Sequence, residues 1–239
     1  MTLRIGVPSK GRLMEDTRAW FAARGVTLRL TGGERGYAGA VEGVEGVTLA
    51  LTPASEIPRD LGAGRLHLGV TGSDLVRDRL PDWSGRVAAL AALGFGRADL
   101  IVAVPRAWID VATLDDLDEA ARDFRAAHGF RLRIATKYHR LVREHLTRAG
   151  VADYQLVDSQ GATEATVMNG AAEAIADITS SGATLRANGL KPLDDGPIHS
   201  SEATLYAARR ADWDAAARAA LAGLAARLGV GASVGVTRR

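Results

Sequence analysis

The chain has 239 residues, 47% of them hydrophobic, with 30 lysines and arginines against 28 aspartates and glutamates and no cysteine. That length holds one large domain or two small ones; the lack of cysteine removes disulfides, thiolate nucleophiles and Cys-ligated metals, and the well-mixed charge, despite a pI of about 9.2, argues against nucleic acid as a partner. No apolar stretch approaches the ~18 to 20 residues of a membrane span, and MTLRIGVPSKGRL, with Arg4, Pro8 and no apolar h-region, reads as a first strand and not a signal peptide, so the expected compartment is the cytoplasm.

Short Val/Ile/Leu-rich runs alternate with segments of helical period: LRIGVP, MEDTRAWFAARG, LRL, VTLAL, a short helix near EIPRDLGAG, and HLGVT. This alternation predicts βαβ units and a largely parallel sheet. Three of these strands run straight into polar or glycine-rich turns, PSKGR after Val7, TPASE after Leu51 and TGSD after Val70. Ligands of open α/β sheets bind beyond the C-terminal ends of strands, so these loops sketch one wall of a cleft. A less regular region, Pro81 to Ala92, precedes the turn and buried strand of LGFGRADLIVAVP. A second series follows: a helix around Leu114 to Ala127, the strand RLRIAT, the helix YHRLVREHLTRAG, the strand YQLVD, a short helix TEATVMNG and the strand AIADIT. Beyond Thr184, LKPLDDGPI and ATLYAARR read as strands, and a helix spans about Asp212 to Leu228 before Gly229 ends it. The expected organisation is two α/β lobes: residues 1–94 plus 187–239 as a discontinuous first lobe, with 95–186 inserted as the second.

The most informative stretch is DITSSGATL, Asp177 to Leu185. An acidic residue closes a strand, small residues follow, and glycine and a hydroxyl enter a helix. Successive backbone N–H groups in such a turn converge on an anion. Gly182 permits close approach of the backbone, and Thr179, Ser180, Ser181 and Thr184 add hydroxyl donors. Asp177 suits sugar hydroxyls, or a Mg²⁺ carried by a diphosphate. The bland alternative is an Asp/Ser/Thr helix cap before a tight turn. A Walker A loop is excluded because the Gly-Lys-Ser/Thr ending is missing.

Asp-x-x-x-x-Gly-x-Thr after a strand is similar to the 5-phosphoribosyl-1-diphosphate (PRPP) loop of phosphoribosyltransferases. Taken with PSKGRL, EIPRDLGAGRLHLGVTGSDL, LGFGRADLIVAVP, RIATKYHRLVREHLTRAG and SGATLRANGLKPL, in that family's order over about Leu3 to Arg209, the chain resembles ATP phosphoribosyltransferase. The resemblance implies a fold of two α/β lobes with a cleft between them, like type II periplasmic binding proteins. It implies joining N1 of the ATP adenine to C1 of the PRPP ribose with release of diphosphate, the first step of histidine biosynthesis, with Mg²⁺.

Carried residue by residue, the resemblance places Asp177, Thr179, Ser180, Ser181, Gly182, Ala183 and Thr184 on PRPP, with Glu164 also facing the ribose. Lys10 and Arg12 would meet phosphates of ATP or the departing diphosphate; only Lys10, Lys137 and Lys191 are lysines in an arginine-rich chain. Gly72, Ser73 and Asp74 would touch nucleotide or diphosphate, with Ser/Asp capping of a helix start as the bland alternative. Arg97 would sit at the crossover between lobes, and Lys137 and Tyr138 would line the cleft. No general base is expected, because adenine N1 already carries a lone pair. Where the family often has Arg near LTPASEIP this chain has Thr52, with Arg35 or Arg59 as substitutes. None of His67, His128, His139, His145 and His199 forms a recognised metal-ligand pattern. The family's long form carries a C-terminal histidine-binding domain of about eighty residues, a size able to bury its own core; only 29 residues follow Arg210. The expectation is therefore the short form, a homodimer working with a separate regulatory subunit similar to histidyl-tRNA synthetase in a hetero-octamer. The competing class is a solute-binding module of the same two-lobed shape.

Overall fold

The first apolar run is a strand, β1 (Leu3–Pro8), in the computed structural model, which describes residues 2–31, 38–159 and 161–234. It is followed by α1 (Gly11–Ala22), β2 (Thr27–Thr31), β3 (Ala38–Glu42), β4 (Val47–Thr52), α2 (Ile57–Gly62), β5 (Leu68–Gly72), α3 (Ser73–Arg79), α4 (Trp83–Arg86) and β6 (Val87–Ala92). Next come β7 (Ala98–Pro105), α5 (Leu114–His128), β8 (Leu132–Thr136), α6 (His139–Arg148), β9 (Tyr154–Asp158), α7 (Ala165–Met168), β10 (Ala174–Thr179) and α8 (Ala183–Ala187). The short strands β11 (Leu190–Pro192) and β12 (His199–Ser201), the strand β13 (Ala203–Ala208) and the helix α9 (Ala215–Leu228) complete the order. The chain divides into two units: Met1–Gly96 with Glu202–Arg239, and Arg97–Ser201.

Unit 1 is built on the sheet β2-β3-β4-β1-β5-β13-β6, in which β1 runs parallel to β4 and β5 while β2, β3, β13 and β6 join by antiparallel pairing. Its core gathers Leu3, Ile5 and Val7 of β1 with Phe21 of α1, Ile57 and Leu61 of α2, Leu205 of β13 and Leu224 of α9. Thr17 and Phe21, one helical turn apart, form the buried face of α1. The helix α9 is almost all Ala and Leu, and six of its residues are buried.

Unit 2 is built on β11-β7-β10-β8-β9, with β12 also on β7. Strands β10, β8 and β9 are mutually parallel, and β7 is antiparallel to β10. Because side chains alternate across a strand, Leu100, Val102 and Val104 bury on one face of β7 while Ile101 and Ala103 bury on the other, which is why this strand is a continuous apolar run. The longest helix, α5, starts at a reciprocal cap: Thr113 Oγ1 accepts from the Asp116 N–H at 3.2 Å and Asp116 Oδ2 accepts from the Thr113 N–H at 2.8 Å. Asp116 Oδ2 also accepts from the Ala112 N–H, the largest of the hydrogen bonds that hold its carboxyl below the ordinary aspartate value. Thr113→Ala is expected to lower stability by about 1 kcal/mol, read as a shift of the urea midpoint at unchanged slope.

The sheets are mixed where the alternation predicted largely parallel ones. The region Pro81 to Ala92, read as irregular, holds α4 and β6, and β3 is a further strand that the sequence pattern left out. The chain enters unit 2 between Gly96 and Arg97, two residues past the expected point, but returns between Ser201 and Glu202 instead of at 186/187. The physical reason is pairing: Leu190↔Pro105 and Lys191↔Val104 join β11, and His199↔Leu100 and Ser201↔Ala98 join β12, to the first strand of unit 2.

Candidate functional site

Parallel pairing decides which loops share a rim. In unit 1, β4, β1 and β5 are consecutive parallel neighbours, so the segments after Thr52, Pro8 and Gly72 emerge at the same end of the sheet. Pro8 lies opposite Thr52, and the Ser9 N–H donates to the Thr52 carbonyl at 3.0 Å. Lys10 caps α1 in extended conformation, Gly11 has φ +73°, and both Lys10 and Arg12 are exposed. At the neighbouring strand end Ser73 is held by its N–H to the Glu202 carbonyl at 3.2 Å, and Asp74 is buried with a carboxylate oxygen where a Cβ on Gly72 would stand. Glycine is required there by that close approach. Burial, with the Asp74 charge adding to it, pushes the nearby Tyr206 hydroxyl above its ordinary value. Arg59 pairs with Glu56 one turn earlier on α2, and Arg35 lies outside the described residues.

In unit 2 the same logic collects the loops after β10, β8 and β9. The segment after β10 is the DITSSGATL turn. Leu185 plugs into a cluster with Ile101, Ala135, Ile175 and Leu190 and so fixes α8 to the sheet. Between that plug and the strand, Gly182 turns at φ +68°, a conformation that glycine adopts without a Cβ penalty. The loop satisfies its own amides with hydroxyls: the Gly182 N–H donates to Thr179 Oγ1 at 2.9 Å and the Ala183 N–H to Ser181 Oγ at 3.3 Å. Ser180, Ser181, Ala183 and Thr184 are exposed, and Asp177 is half-buried with Oδ1 accepting from the Ile178 N–H at 2.8 Å.

The loops after β8 and β9 are tied together. Lys137 Nζ donates to the Gly161 carbonyl at 2.6 Å, and His139 Nε2 lies 3.2 Å from Asp158 Oδ1. Ser159 and Thr163, both buried, share a hydrogen bond of 2.9 Å beneath this connection. Glu164, half-buried, precedes α7 on the same rim. Lys137 thus supports the segment leading to Glu164, whereas Tyr138 is buried as a packing residue, and Arg97 is exposed at the first residue of unit 2. Arg186, which sequence reasoning passed over, folds back from α8 so that Nη1 reaches the Ser181 carbonyl at 3.1 Å. Its signal was available: from Asp177 to Ala187 it is the one basic residue.

The glycine-containing strand ends at Gly11 and Gly72 in unit 1 and at Gly182 in unit 2 suit a nucleotide or sugar phosphate, and comparison with known proteins shows the family. The profile of the family described as "HisG: ATP phosphoribosyltransferase" matches residues 53–229. The chain belongs to the ATP phosphoribosyltransferase family. It is 73% identical over 230 residues to the ATP phosphoribosyltransferase of Cereibacter sphaeroides, covering 96% of this chain and 97% of that one. It is 52% identical over 214 residues to the enzyme of Rhodopseudomonas palustris, covering 90% of this chain and 66% of that longer one. Among solved structures, the chain of the ATP phosphoribosyl transferase (HisG:HisZ) complex from Thermotoga maritima superposes with a TM-score of 0.72 at 18% identity, covering 95% of this chain and 97% of that one. A histidine kinase sensor domain described as similar to periplasmic binding proteins superposes at 0.52 and 15% identity, covering 95% and 86%. The fold is thus the periplasmic-binding-protein-like one that the resemblance implied, and the activity is that of ATP phosphoribosyltransferase, the pentosyltransferase that opens histidine biosynthesis. Family membership sets aside the solute-binding alternative. Among the described residues no helix is long and apolar enough to cross a membrane.

Proposed function

We propose that the two rims divide the substrates of the phosphoribosyl transfer. In unit 2, the turn from Asp177 to Thr184 holds the 5-phosphate of PRPP, with Asp177 and Glu164 facing the ribose hydroxyls. In unit 1, Lys10, Arg12 and the turn Gly72–Ser73–Asp74 bind phosphates of ATP and the departing diphosphate, and Arg97 adds a guanidinium from the junction. The observation that carries this reading is the turn at Gly182. Its positive φ brings neighbouring amides onto rotatable hydroxyls, which an arriving phosphate oxygen can replace as acceptor.

The bond that forms joins adenine N1 to ribose C1, and the bond that breaks joins C1 to the diphosphate oxygen, which leaves with the electron pair. N1 attacks with its own lone pair, so no side chain has to remove a proton before bond formation. The ribosyl carbon becomes electron-poor as the leaving group separates, and the carboxylates of Asp177 and Glu164 are placed to stabilise that charge through the ribose. Alignment of two bound substrates supplies the remainder. Mg²⁺, when bound, would neutralise the diphosphate; the half-buried Asp177 offers the hard oxygen such an ion takes alongside substrate phosphates.

The likeness to the Thermotoga chain, solved as a HisG:HisZ complex, supports a partnership of this chain with a separate subunit; that this is a regulatory subunit similar to histidyl-tRNA synthetase, in a hetero-octamer built on a homodimer, is what the family resemblance implies. Ultraviolet absorbance with ATP, PRPP and Mg²⁺ follows N1-(5-phosphoribosyl)-ATP directly. The rate is expected to rise and become histidine-sensitive when that subunit is added. Asp177→Asn should lower kcat/KM for PRPP about tenfold, the loss of one charge-assisted contact, with KM for ATP unchanged; normal PRPP use in this variant would refute the placement of the ribose.

A further inference from the structure

The turn that receives the phosphate is short of positive charge. From Asp177 to Leu185 its one ionisable side chain is the Asp177 carboxyl, and the remaining donors are neutral amides and hydroxyls. A phosphate monoester carries nearly two negative charges at neutral pH. Neutral amides and hydroxyls already make charge-assisted hydrogen bonds to such an anion, but only a cation adds direct attraction between opposite charges. A neutral cradle beside a carboxylate leaves that part of the attraction unused.

The first cation after the turn is Arg186, four residues beyond Gly182 and so one helical turn along α8. Side chains on a helix lean toward its N-terminus and cover the preceding turn, and this one does so. Its Nη1 donates to the Ser181 carbonyl at 3.1 Å and lies 2.9 Å from the place where a Cβ on Gly182 would stand. The missing side chain of Gly182 is what lets the guanidinium rest against the loop backbone. A basic residue near the end of a helix usually serves the last carbonyls; Arg186 points the other way, into the turn. Its present acceptor is a neutral carbonyl at an exposed site, a weaker partner than a phosphate oxygen.

We propose that Arg186, whose guanidinium lies on the Ser181 carbonyl at the edge of the turn, is a phosphate-binding side chain of this enzyme that meets the 5-phosphate of PRPP. The assignment rests on the reading of Asp177–Thr184 as the 5-phosphate site. It adds the counter-charge which that site lacks and places it beside the two amides, of Gly182 and Ala183, that exchange their hydroxyl acceptors for the ligand. Arginine suits the role because its planar fork can keep one N–H near the loop carbonyl while others meet phosphate oxygens.

The test compares Arg186→Gln and Arg186→Lys with the parent chain, in the presence of its regulatory subunit. With Gln, KM for PRPP is expected to rise about tenfold, the loss of one charge-assisted pair, with KM for ATP unmoved and kcat reduced less than twofold. Lys should recover most of the loss. Ribose 5-phosphate, used as a competitive probe, should bind Gln more weakly by the same factor, while inhibition by inorganic diphosphate is unaffected. Ionic strength near 1 M, where the screening length is about 3 Å, should weaken PRPP binding in the parent chain more than in the Gln variant.

Unchanged KM for PRPP and unchanged ribose 5-phosphate inhibition would overturn the assignment. So would a rise in the diphosphate inhibition constant, which would put the guanidinium at the other end of the substrate. Loss of kcat and melting temperature that Lys fails to restore would reduce Arg186 to structural support of the turn. Gly182→Val, measured in parallel, separates the two levels. If it weakens ribose 5-phosphate and Arg186→Gln does not, the arginine assignment alone falls; if neither does, the loop reading falls with it.

Discussion

Replacing Gly182 by valine is expected to lower kcat/KM for PRPP by about 100-fold, the scale of loss from an ångström-sized misplacement of a bound group. The residue sits at φ +68°, where a β-branched side chain is strained by roughly 1–3 kcal/mol. The added Cβ would also meet the Arg186 guanidinium at 2.9 Å, a contact the flexible arginine can vacate. Backbone strain is therefore the larger effect, and it is relieved by rotating the turn, which re-aims the amides of Gly182 and Ala183. The fold should survive, because Leu185 remains plugged among Ile101, Ile175 and Leu190 on the far side of the turn. Steady-state kinetics in PRPP at saturating ATP, with a melting curve on the same sample, checks both halves of the expectation. Normal turnover would remove the turn from the phosphate site.

The second large effect is on stability. Glu173, just ahead of β10, is bound to Arg133 by side chain and main chain together. Its Oε2 accepts from the Arg133 backbone N–H at 2.8 Å and from Nε at 3.1 Å, its Oε1 accepts from an Nη2 that also donates to the Gly170 carbonyl at 2.8 Å, and its own N–H donates to the Arg133 carbonyl at 3.0 Å. The side chains are only 27% and 14% exposed, so water is a poor substitute for either partner. Glu173→Ala should cost about 2–3 kcal/mol, because it leaves a half-buried guanidinium and a strand-end amide without their acceptor. Chemical denaturation at pH 7 measures this.

The same pair sets an acid limit. Burial alone would raise the Glu173 carboxyl, but the hydrogen bonds and charge of Arg133 outweigh it and hold the group below its ordinary value of 4.5. A carboxylate depressed in the folded state contributes stability that is present above its unfolded value and is lost as pH falls through the lower folded one. The loss should therefore begin below about pH 4.5 in the parent chain and be smaller in Glu173→Gln.

The turn from Asp177 to Thr184 was legible as a candidate anion site because Gly182 and its hydroxyl neighbours are unusual company for an apolar strand and helix. Strand alternation sketches a rim only for the loops after Val7, Leu51 and Val70, and Glu164 joins the turn through the family resemblance. What the sequence hid was pairing between distant segments. Strand β6 reads VAALAA, with Val87 its one β-branched residue where strands are usually rich in them, and exists because β13 lies beside it with Leu205 opposite Ala91. Strand β3 reads AGAVE, and Gly39 belongs there because the Arg29 carbonyl and Leu49 of its two neighbours fill the space of a side chain. The late return from unit 2 depends on β11 and β12 finding β7, far back along the chain. Arg186 is one of many arginines in the sequence, and it is the direction of its side chain, back onto the Ser181 carbonyl, that sets it apart.

The place of β13 in unit 1 governs how the chain can be made. It lies between β5 and β6 and is the sole described neighbour of β6. A nascent chain that has emitted everything up to Ser201 holds all the described strands of unit 2 but still lacks the strand that joins β6 to the rest of the unit 1 sheet. Until Ala203–Ala208 leave the ribosome, Leu68 and Val70 stand at an open strand edge, the kind of surface on which incomplete chains aggregate. The inserted unit can finish folding before the one synthesised first. When β13 arrives, the passages out and back lie side by side, Ala98 paired with Ser201 and the Ala203 N–H on the Phe95 carbonyl at 3.0 Å, so a folded insert presents unit 1 with ends already brought together and reduces the loop-closure entropy of its final strand.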